Sequence, residues 1–255
     1  MGALCASTIA AQDDMRLVAL VDPRKGDGGE VPWFGDVPSA LALTSPAVAL
    51  EFSVPGAVYE NSAALLEAGV PTVVGATGLS DDQVAELSVR ADASGAALVI
   101  VPNFALGAVL LMKFCSEAAR HYRHAEIVET HEKGKLDAPS GTSLRTARLM
   151  AEAPGSALAA PPGADQDSRG LVVDGRVTVH SLRLSGAVAH QEVVFGGEDE
   201  LLTIRHDSLS RRSFMPGVLL ALRRVRDLRG TVVGLEHLLD GPTVTPERHR
   251  REETT

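Results

Sequence analysis

Aromatic side chains make up only 4% of this 255-residue chain, and it holds two cysteines and one tryptophan. Basic residues are also short: 24 Lys and Arg stand against 33 Asp and Glu, a formal net charge of −9 at pH 7. A nucleic-acid binder needs a basic footprint and stacking aromatics, and this composition offers neither. Cys5 and Cys115 do not make a disulfide framework, and no Cys/His group has zinc spacing. A reducing cytoplasm is therefore the expectation, and no metal is expected. No apolar run reaches the roughly 18 residues that cross a bilayer. The opening MGALCASTIA is apolar but lacks the basic start of a secretory signal. There is no internal repeat. What is present is 45% hydrophobic, enough for a core in one large domain or two modest ones.

Short apolar runs at 17–21, 47–52, 70–74 and 97–101 alternate with helical patterns at 57–68 and 80–94. Ser80 is placed as an N-cap, with Asp81 and Asp82 in the first turn. Buried strands alternating with helices predict an open α/β fold with a parallel sheet. Ligands bind beyond the carboxyl ends of such strands, where Asp22, Ser53, Thr77 and Asn103 stand. After residue 106 the pattern changes. A helix is expected over 108–121, a strand over 126–130 and a mobile Pro/Gly/Ala/Asp-rich connection over 153–170. Segments 179–184, 192–195 and 201–205 alternate polar and apolar, as half-buried antiparallel strands do. These elements form a second, α+β domain with a mixed or antiparallel sheet, followed by a helix at 214–226. Residues 242–255 are polar and charged, the composition of a disordered tail.

The densest chemistry lies at residues 129–142, ETHEKGKLDAPSGT. It gathers His131, Lys135, three carboxylates (Glu129, Glu132, Asp137) and a Pro-Ser-Gly-Thr turn before a helical pattern at 142–152. His131 and Lys135 can both donate protons. Ser140, Gly141 and Thr142 offer hydroxyls and backbone N–H groups at a helix N-terminus, a place for a carboxylate. Together they fit a catalytic site for a small acidic substrate. The alternative reading is a capped helix preceded by a charged loop. An acidic protein with an anionic substrate must concentrate positive charge locally, at Lys135, Arg205 and Arg211.

This run resembles the signature of the 4-hydroxy-tetrahydrodipicolinate reductase (dihydrodipicolinate reductase) family, about E-x-HH-x-x-K-x-DAPSGT-A. Glu129, His131, Lys135 and the residues from Asp137 to Thr142 match; Glu132 replaces the second His and Ser143 the final Ala. Further blocks match in order: 74–78 (VGATG, against the family's G-T-T-G), 102–107 (PNFALG) and 205–208 (RHDS). The resemblance covers nearly the whole chain to about residue 241.

The resemblance implies a Rossmann-like nucleotide domain, formed by 1–102 and 213–241, and a substrate and oligomerisation domain at 103–212. It implies cofactor contacts at Asp22, at Arg24 with Lys25, at Gly75, Ala76 and Thr77, at Pro102, Asn103 and Phe104, and at Arg211 beside His206. Asp22 would favour NADH through the ribose hydroxyls, and Arg24 with Lys25 would accommodate the extra phosphate of NADPH. Each has a plainer local reading as a turn, a core aromatic or a solvated charge. The family's glycine turn, roughly G-x-x-G-R-M-G, is matched only by its end at Met1-Gly2. On this resemblance the first strand and most of the phosphate loop are expected to be absent, with 3–11 forming the following helix. Gly2 is then a weak cofactor candidate.

The implied reaction is NADH- or NADPH-dependent reduction of 4-hydroxy-tetrahydrodipicolinate in lysine biosynthesis. Lys135 would donate the proton, His131 would be its partner acid, and Ser140, Gly141 and Thr142 would hold a carboxylate. Glu132 sits where the family's second His contacts substrate. The implied assembly is a homotetramer acting on a small dicarboxylate. Two other classes share parts of the pattern: an aspartate- or homoserine-type dehydrogenase, and a non-catalytic homologue.

Overall fold

The computed structural model describes residues 1–24, 29–163 and 167–239. Lys25 and the tail at 242–255 lie outside them. The apolar runs become strands β3 (Ala49–Glu51), β4 (Thr72–Val74) and β5 (Leu98–Ile100), which pair in parallel. β4 is buried along its length, as expected of a strand covered on both faces. β11 (Thr231–Val233) returns from the far end of the chain and completes the order β11-β5-β4-β3. Helices α3 (Val58–Glu67) and α4 (Asp81–Ser94) cover one side, burying Val58, Leu66 and Leu87 against Val74 and Leu98. α4 begins as its sequence dictates. Ser80 and Gln83 form a reciprocal capping box, and Gly95 closes the helix at φ 71°.

The region before β3 is less regular. A helix, α1 (Gly2–Ala10), is followed by β1 (Leu20–Val21) and β2 (Trp33–Phe34), a separate two-stranded parallel sheet. The run at 17–21 thus pairs only over its last two residues. β2 and the short helix α2 (Val37–Leu43) were not expected from the sequence; Asp36 caps α2 by accepting the Ser39 N–H at 2.7 Å. Among the described residues, β1 and β2 are not hydrogen-bonded to the strands of the β11-β5-β4-β3 sheet.

The second half of the chain builds a five-stranded mixed sheet. Its order is β10 (Leu201–Ser208), β9 (Ala189–Gly196), β6 (His124–Glu132), β8 (Val177–Leu184), β7 (Leu171–Val173). The mixed sheet agrees with the expectation. β6 pairs with β8 in parallel, Glu126 to Glu132 against Thr178 to Leu184, because α6 (Gly141–Ala151) and the following connection carry the chain back to the same end. The first part of that connection, expected to be mobile, is tied to the rest of the domain. Ala157 and Ala159 donate backbone bonds to Ala119 and Arg123 at 2.9 and 2.8 Å, and Leu158 is buried. Residues 164–166 within it lie outside the described part.

One helix joins the halves. α5 (Leu106–Ala118) presents Val109 and Met112 to a core shared with the parallel sheet, α1 and α7 (Met215–Arg224). Its other face gives Leu111 and Cys115 to the core of the five-stranded sheet, beside Ile127, Val193 and Phe195. A helix apolar around most of its surface is one buried from both sides. Its N-terminus, next to Asn103 and Phe104, is therefore fixed relative to both sheets.

Candidate active site

A cavity of about 240 Å³ lies where the carboxyl ends of β3, β4 and β5 meet the end of β6 and the start of α6. Gly75, Pro102, Asn103 and Phe104 line it from the first side, and His131, Ser140 and Thr142 from the second. Asn103 ties the sides together. Its amide nitrogen donates to Thr142 Oγ1 at 3.1 Å, and its carbonyl oxygen accepts the Ala105 N–H at 2.8 Å. Phe104 is buried against Phe52, ring centroids 5.4 Å apart. The two rings occupy the space that a Cβ on Gly75 would need, with Phe52 Cζ 2.4 Å and Phe104 Cε2 2.6 Å from it. Only a glycine lets these rings close over the end of β4.

The centre of the second side is Glu129, fully buried on the inner face of β6. Its Oε1 accepts the Ser140 N–H at 3.2 Å and Arg183 Nη2 at 2.9 Å. Its Oε2 accepts Arg183 Nη1 at 2.9 Å and meets Nδ1 of His131. Burial alone would push this carboxyl up; hydrogen bonds from Arg183, Ser181 and His131 outweigh it and hold the group below its ordinary value. Ionised Glu129 can only accept, so His131 carries its proton on Nδ1 in the neutral ring. Nε2 is left for the cavity that the ring lines. Ser140 caps α6 on the Ser143 N–H at 3.2 Å. The Ser143 hydroxyl donates to Gln191 Oε1 at 2.9 Å, and Gln191 Nε2 reaches Thr146 Oγ1 at 2.8 Å. The Ser that departs from the family's Ala is thus fully bonded in the core.

Several candidate residues stand outside the cavity lining. Lys135 Nζ is held by both oxygens of Asp137 at 2.8 and 2.7 Å rather than by Glu132. Glu132, expected as a substrate contact, is exposed at the end of β6 and is not among the residues that line the cavity. Gly141 follows Ser140 as the first residue of α6. Gly2 is the first residue of α1, and its neighbour Met1, not Gly2, lines the cavity. Ala76 and Thr77 lie just past Gly75, beyond the lining. Arg211 is exposed in a short 3-10 turn whose far end, Phe214, supplies the cavity wall. Arg205, expected to supply local positive charge, is matched by Asp207 at 3.0 Å and Glu192 at 3.3 Å. At the end of β1, Asp22 accepts the Arg24 N–H at 2.8 Å and its Nε at 3.4 Å.

Three contributors were not assigned a role from the sequence. Phe52 needed its three-dimensional neighbour Phe104. Gln191 and Arg183 lie on strands whose partners are distant in sequence. A signal for Arg183 existed: it continues the inner-face alternation of Val177 and Val179, and a charge on that face needs a partner. His206 also lines the cavity, its ring over Gly107, where a Cβ would meet Cδ2 at 2.4 Å. Burial pushes its imidazole down, against the pull of Asp207.

Comparison with known proteins gives a consistent result. Residues 1–104 match the family model "Dihydrodipicolinate reductase, N-terminus", and 107–239 match "Dihydrodipicolinate reductase, C-terminus". The chain is 46% identical over 246 residues to a 4-hydroxy-tetrahydrodipicolinate reductase of Streptomyces coelicolor, covering 94% of each chain. It is 44% identical over 240 residues to that of Moorella thermoacetica, covering 89% of this chain and 90% of the other. A solved structure, dipicolinate-bound dihydrodipicolinate reductase from Paenisporosarcina sp. TG-14, superposes with a TM-score of 0.83 at 37% identity, covering 93% and 95% of the two chains.

Proposed function

Because the chain belongs to the dihydrodipicolinate reductase family, we propose that it reduces 4-hydroxy-tetrahydrodipicolinate to tetrahydrodipicolinate with NADH or NADPH, on the diaminopimelate route to lysine. The observation that carries this reading is the single cavity shared by Gly75, Asn103 and Phe104 on one side and His131, Ser140 and Thr142 on the other. Dipicolinate in the Paenisporosarcina enzyme supports a small cyclic dicarboxylate as the ligand class.

The residues present suit a nicotinamide dinucleotide. Asp22, at the carboxyl end of β1, keeps acceptor capacity for ribose hydroxyls beyond its two bonds from Arg24. Gly75, Phe52 and Phe104 make an apolar wall at the end of β4. When bound, the reduced nicotinamide supplies a hydride. The substrate's hydroxyl leaves with a proton as water, and uptake of one hydride and one proton gives the product. His131 presents Nε2 toward the cavity and donates a proton from it when the ring is an imidazolium, Nδ1–H staying on Glu129. The N-terminus of α6, with the Ser140 and Thr142 hydroxyls and the Gly141 N–H, receives a substrate carboxylate. Asp137 occupies the Lys135 ammonium in the way a substrate carboxylate would. Exchange of that partner brings Lys135 to the substrate as the second proton donor. Glu132, exposed and outside the cavity, does not repel the dicarboxylate.

The division into 1–102 with 213–241 and 103–212 follows the same reading, with cofactor and substrate carried on opposite sides of the cavity. Leu182, Leu184 and Leu201 are exposed on β8 and β10, which supports assembly through the outer face of the sheet, as a homotetramer. Among the described residues no helix is long and apolar enough to cross a membrane; a biosynthetic enzyme of this kind would work in the cytoplasm.

The test is steady-state reduction of 4-hydroxy-tetrahydrodipicolinate with calorimetric NADH binding alongside. His131→Ala and Lys135→Ala should each lower kcat by about 10²–10⁴, the range for a lost general acid, with NADH affinity unchanged. Near-full turnover combined with lost NADH binding would reverse the roles assigned. No turnover by the unaltered chain would remove the reaction itself.

A further inference from the structure

The signature loop is tied to the sheet by a side chain 54 residues beyond Glu129. Arg183 stands opposite His131 in the parallel β6–β8 ladder. Its guanidinium grips both oxygens of buried Glu129 at 2.9 Å. The same group donates through Nε to the Lys135 carbonyl at 3.3 Å and through Nη2 to the Asp137 carbonyl at 2.6 Å. Nη1 also reaches the Leu182 carbonyl at 2.7 Å. Glu129 passes the connection on, to His131 Nδ1 and to the N–H of Ser140, the N-cap of α6. One planar cation therefore touches, directly or through one carboxylate, the imidazole, the loop bearing Lys135 and the cradle at α6.

We propose that Arg183 is a positioning residue of the reductive site, fixing which nitrogen of His131 faces the substrate and holding the Lys135 loop and the Ser140 cradle in register. The proposal rests on the reading of the site given above and adds a residue to which that reading gives no role. The physical argument is one of forced geometry. A fully buried carboxylate without a cation either takes up a proton or leaves its oxygens unsatisfied. The guanidinium fork fixes both oxygens of Glu129 in one plane. Glu129 then stays an acceptor, His131 keeps its proton on Nδ1, and Nε2 is the nitrogen presented to the cavity. An ammonium could supply the charge, but its compact head cannot grip two carboxylate oxygens and two loop carbonyls together.

Arg183→Lys and Arg183→Met in the full chain test this, with melting curves to establish folding and calorimetric NADH titration to isolate the substrate side. Both variants should lose about 10² in kcat, the scale of a mispositioned catalytic group, while NADH affinity is retained. Imidazole ¹H–¹⁵N spectra give a readout independent of turnover. The His131 Nδ1–H proton should be far downfield and slow to exchange in the unaltered protein, identified by its absence in His131→Ala. It should shift or vanish in Arg183→Lys. If Arg183→Met does not fold, Arg183→Lys decides. Full kcat in Arg183→Lys, or a lost kcat with the His131 resonance unmoved, would overturn the role of Arg183. Absence of turnover in the unaltered protein would instead overturn the proposed reaction and leave the spectroscopic comparison intact.

Discussion

On the proposed reading, the turn at Asp22 and Arg24 faces two cofactors with opposite demands. The Arg24 backbone N–H, its largest influence, holds the Asp22 carboxyl below the ordinary carboxylate range, so it is ionised and accepting near neutral pH. That suits ribose hydroxyls and opposes an added phosphate. Arg24, however, holds Asp22 through its side chain only at 3.4 Å and is 91% exposed, so its guanidinium can turn to a 2′-phosphate with little to give up. Lys25, outside the described residues, follows it directly in sequence. Replacing Arg24 and Lys25 by Ser should therefore weaken NADPH binding and spare NADH. Exposed ion pairs are worth about 0.2–1 kcal/mol each, so the loss should be up to about fivefold per residue and should shrink as salt is raised. Calorimetric titration of both cofactors at two ionic strengths decides it. Equal weakening of both, or of neither, would detach these residues from cofactor choice.

Close contacts between elements leave three glycines no alternative. In α7, a Cβ on Gly217 would sit 2.1 Å from the Phe104 carbonyl oxygen and 2.9 Å from Leu235 Cδ2. The helix lies directly on the backbone that carries Asn103 and Phe104 into the cavity. Gly217→Ala cannot be relieved by a side-chain rotation, so either α7 or the 103–105 turn must move. Overpacking of this kind costs about 1–3 kcal/mol. The variant should melt lower and also bind NADH less tightly, although residue 217 is not in the cavity lining. Lower melting with unchanged NADH affinity would show that α7 yields and the turn does not. Gly107 beneath His206 and Gly75 beneath Phe52 and Phe104 are smaller versions of the same constraint. What was legible in the sequence divides along the same line between local and distant causes. The Ser80 cap of α4, the buried run of β4 and the capped start of α6 are set by neighbours within a few residues, and the sequence shows them. β11, β2 and the parallel β6–β8 pairing exist only because another strand lies alongside, and two- or three-residue strands carry no period to read. The connection after α6 looks loose by composition, yet buried Leu158 and two backbone bonds to 119 and 123 hold it. At the site, the ordered motif singled out His131, Lys135 and Ser140, whereas the strand pattern signals only that Arg183 needs a partner, and that the partner is Glu129 emerges once the two strands pair.

For the molecule as a whole, acid stability brings these contacts together. Glu129, Asp137, Asp207, Asp14 and Asp36 all lie below their ordinary carboxylate values. Burial opposes the shift most strongly at Glu129, where Arg183 leads the bonds that overcome it; the leading causes elsewhere are Lys135 on Asp137, Arg205 on Asp207, Arg223 on Asp14 and Ser39 on Asp36. A carboxyl lowered in the folded state stabilises the fold above its unfolded value, about 4, and the contribution fades as pH falls through the folded value. A second effect has the opposite sign at first. The net charge of −9 at pH 7 repels itself, and acidification toward the isoelectric point near 5.4 relieves that repulsion. Surface repulsion is screened and spread out, while the Glu129 cluster is buried and specific, so the specific term should dominate below the unfolded carboxylate range. Urea midpoints should be flat or slightly rising from pH 7 to about 5.5 and fall steeply below about 4. Glu129→Gln removes the buried titration and strands Arg183. It should lower the midpoint at pH 7, breaking a buried pair costing about 3–5 kcal/mol, and should also flatten the acid limb relative to the unaltered protein. An acid limb of unchanged steepness in Glu129→Gln would shift the acid sensitivity from the site to the exposed carboxylates.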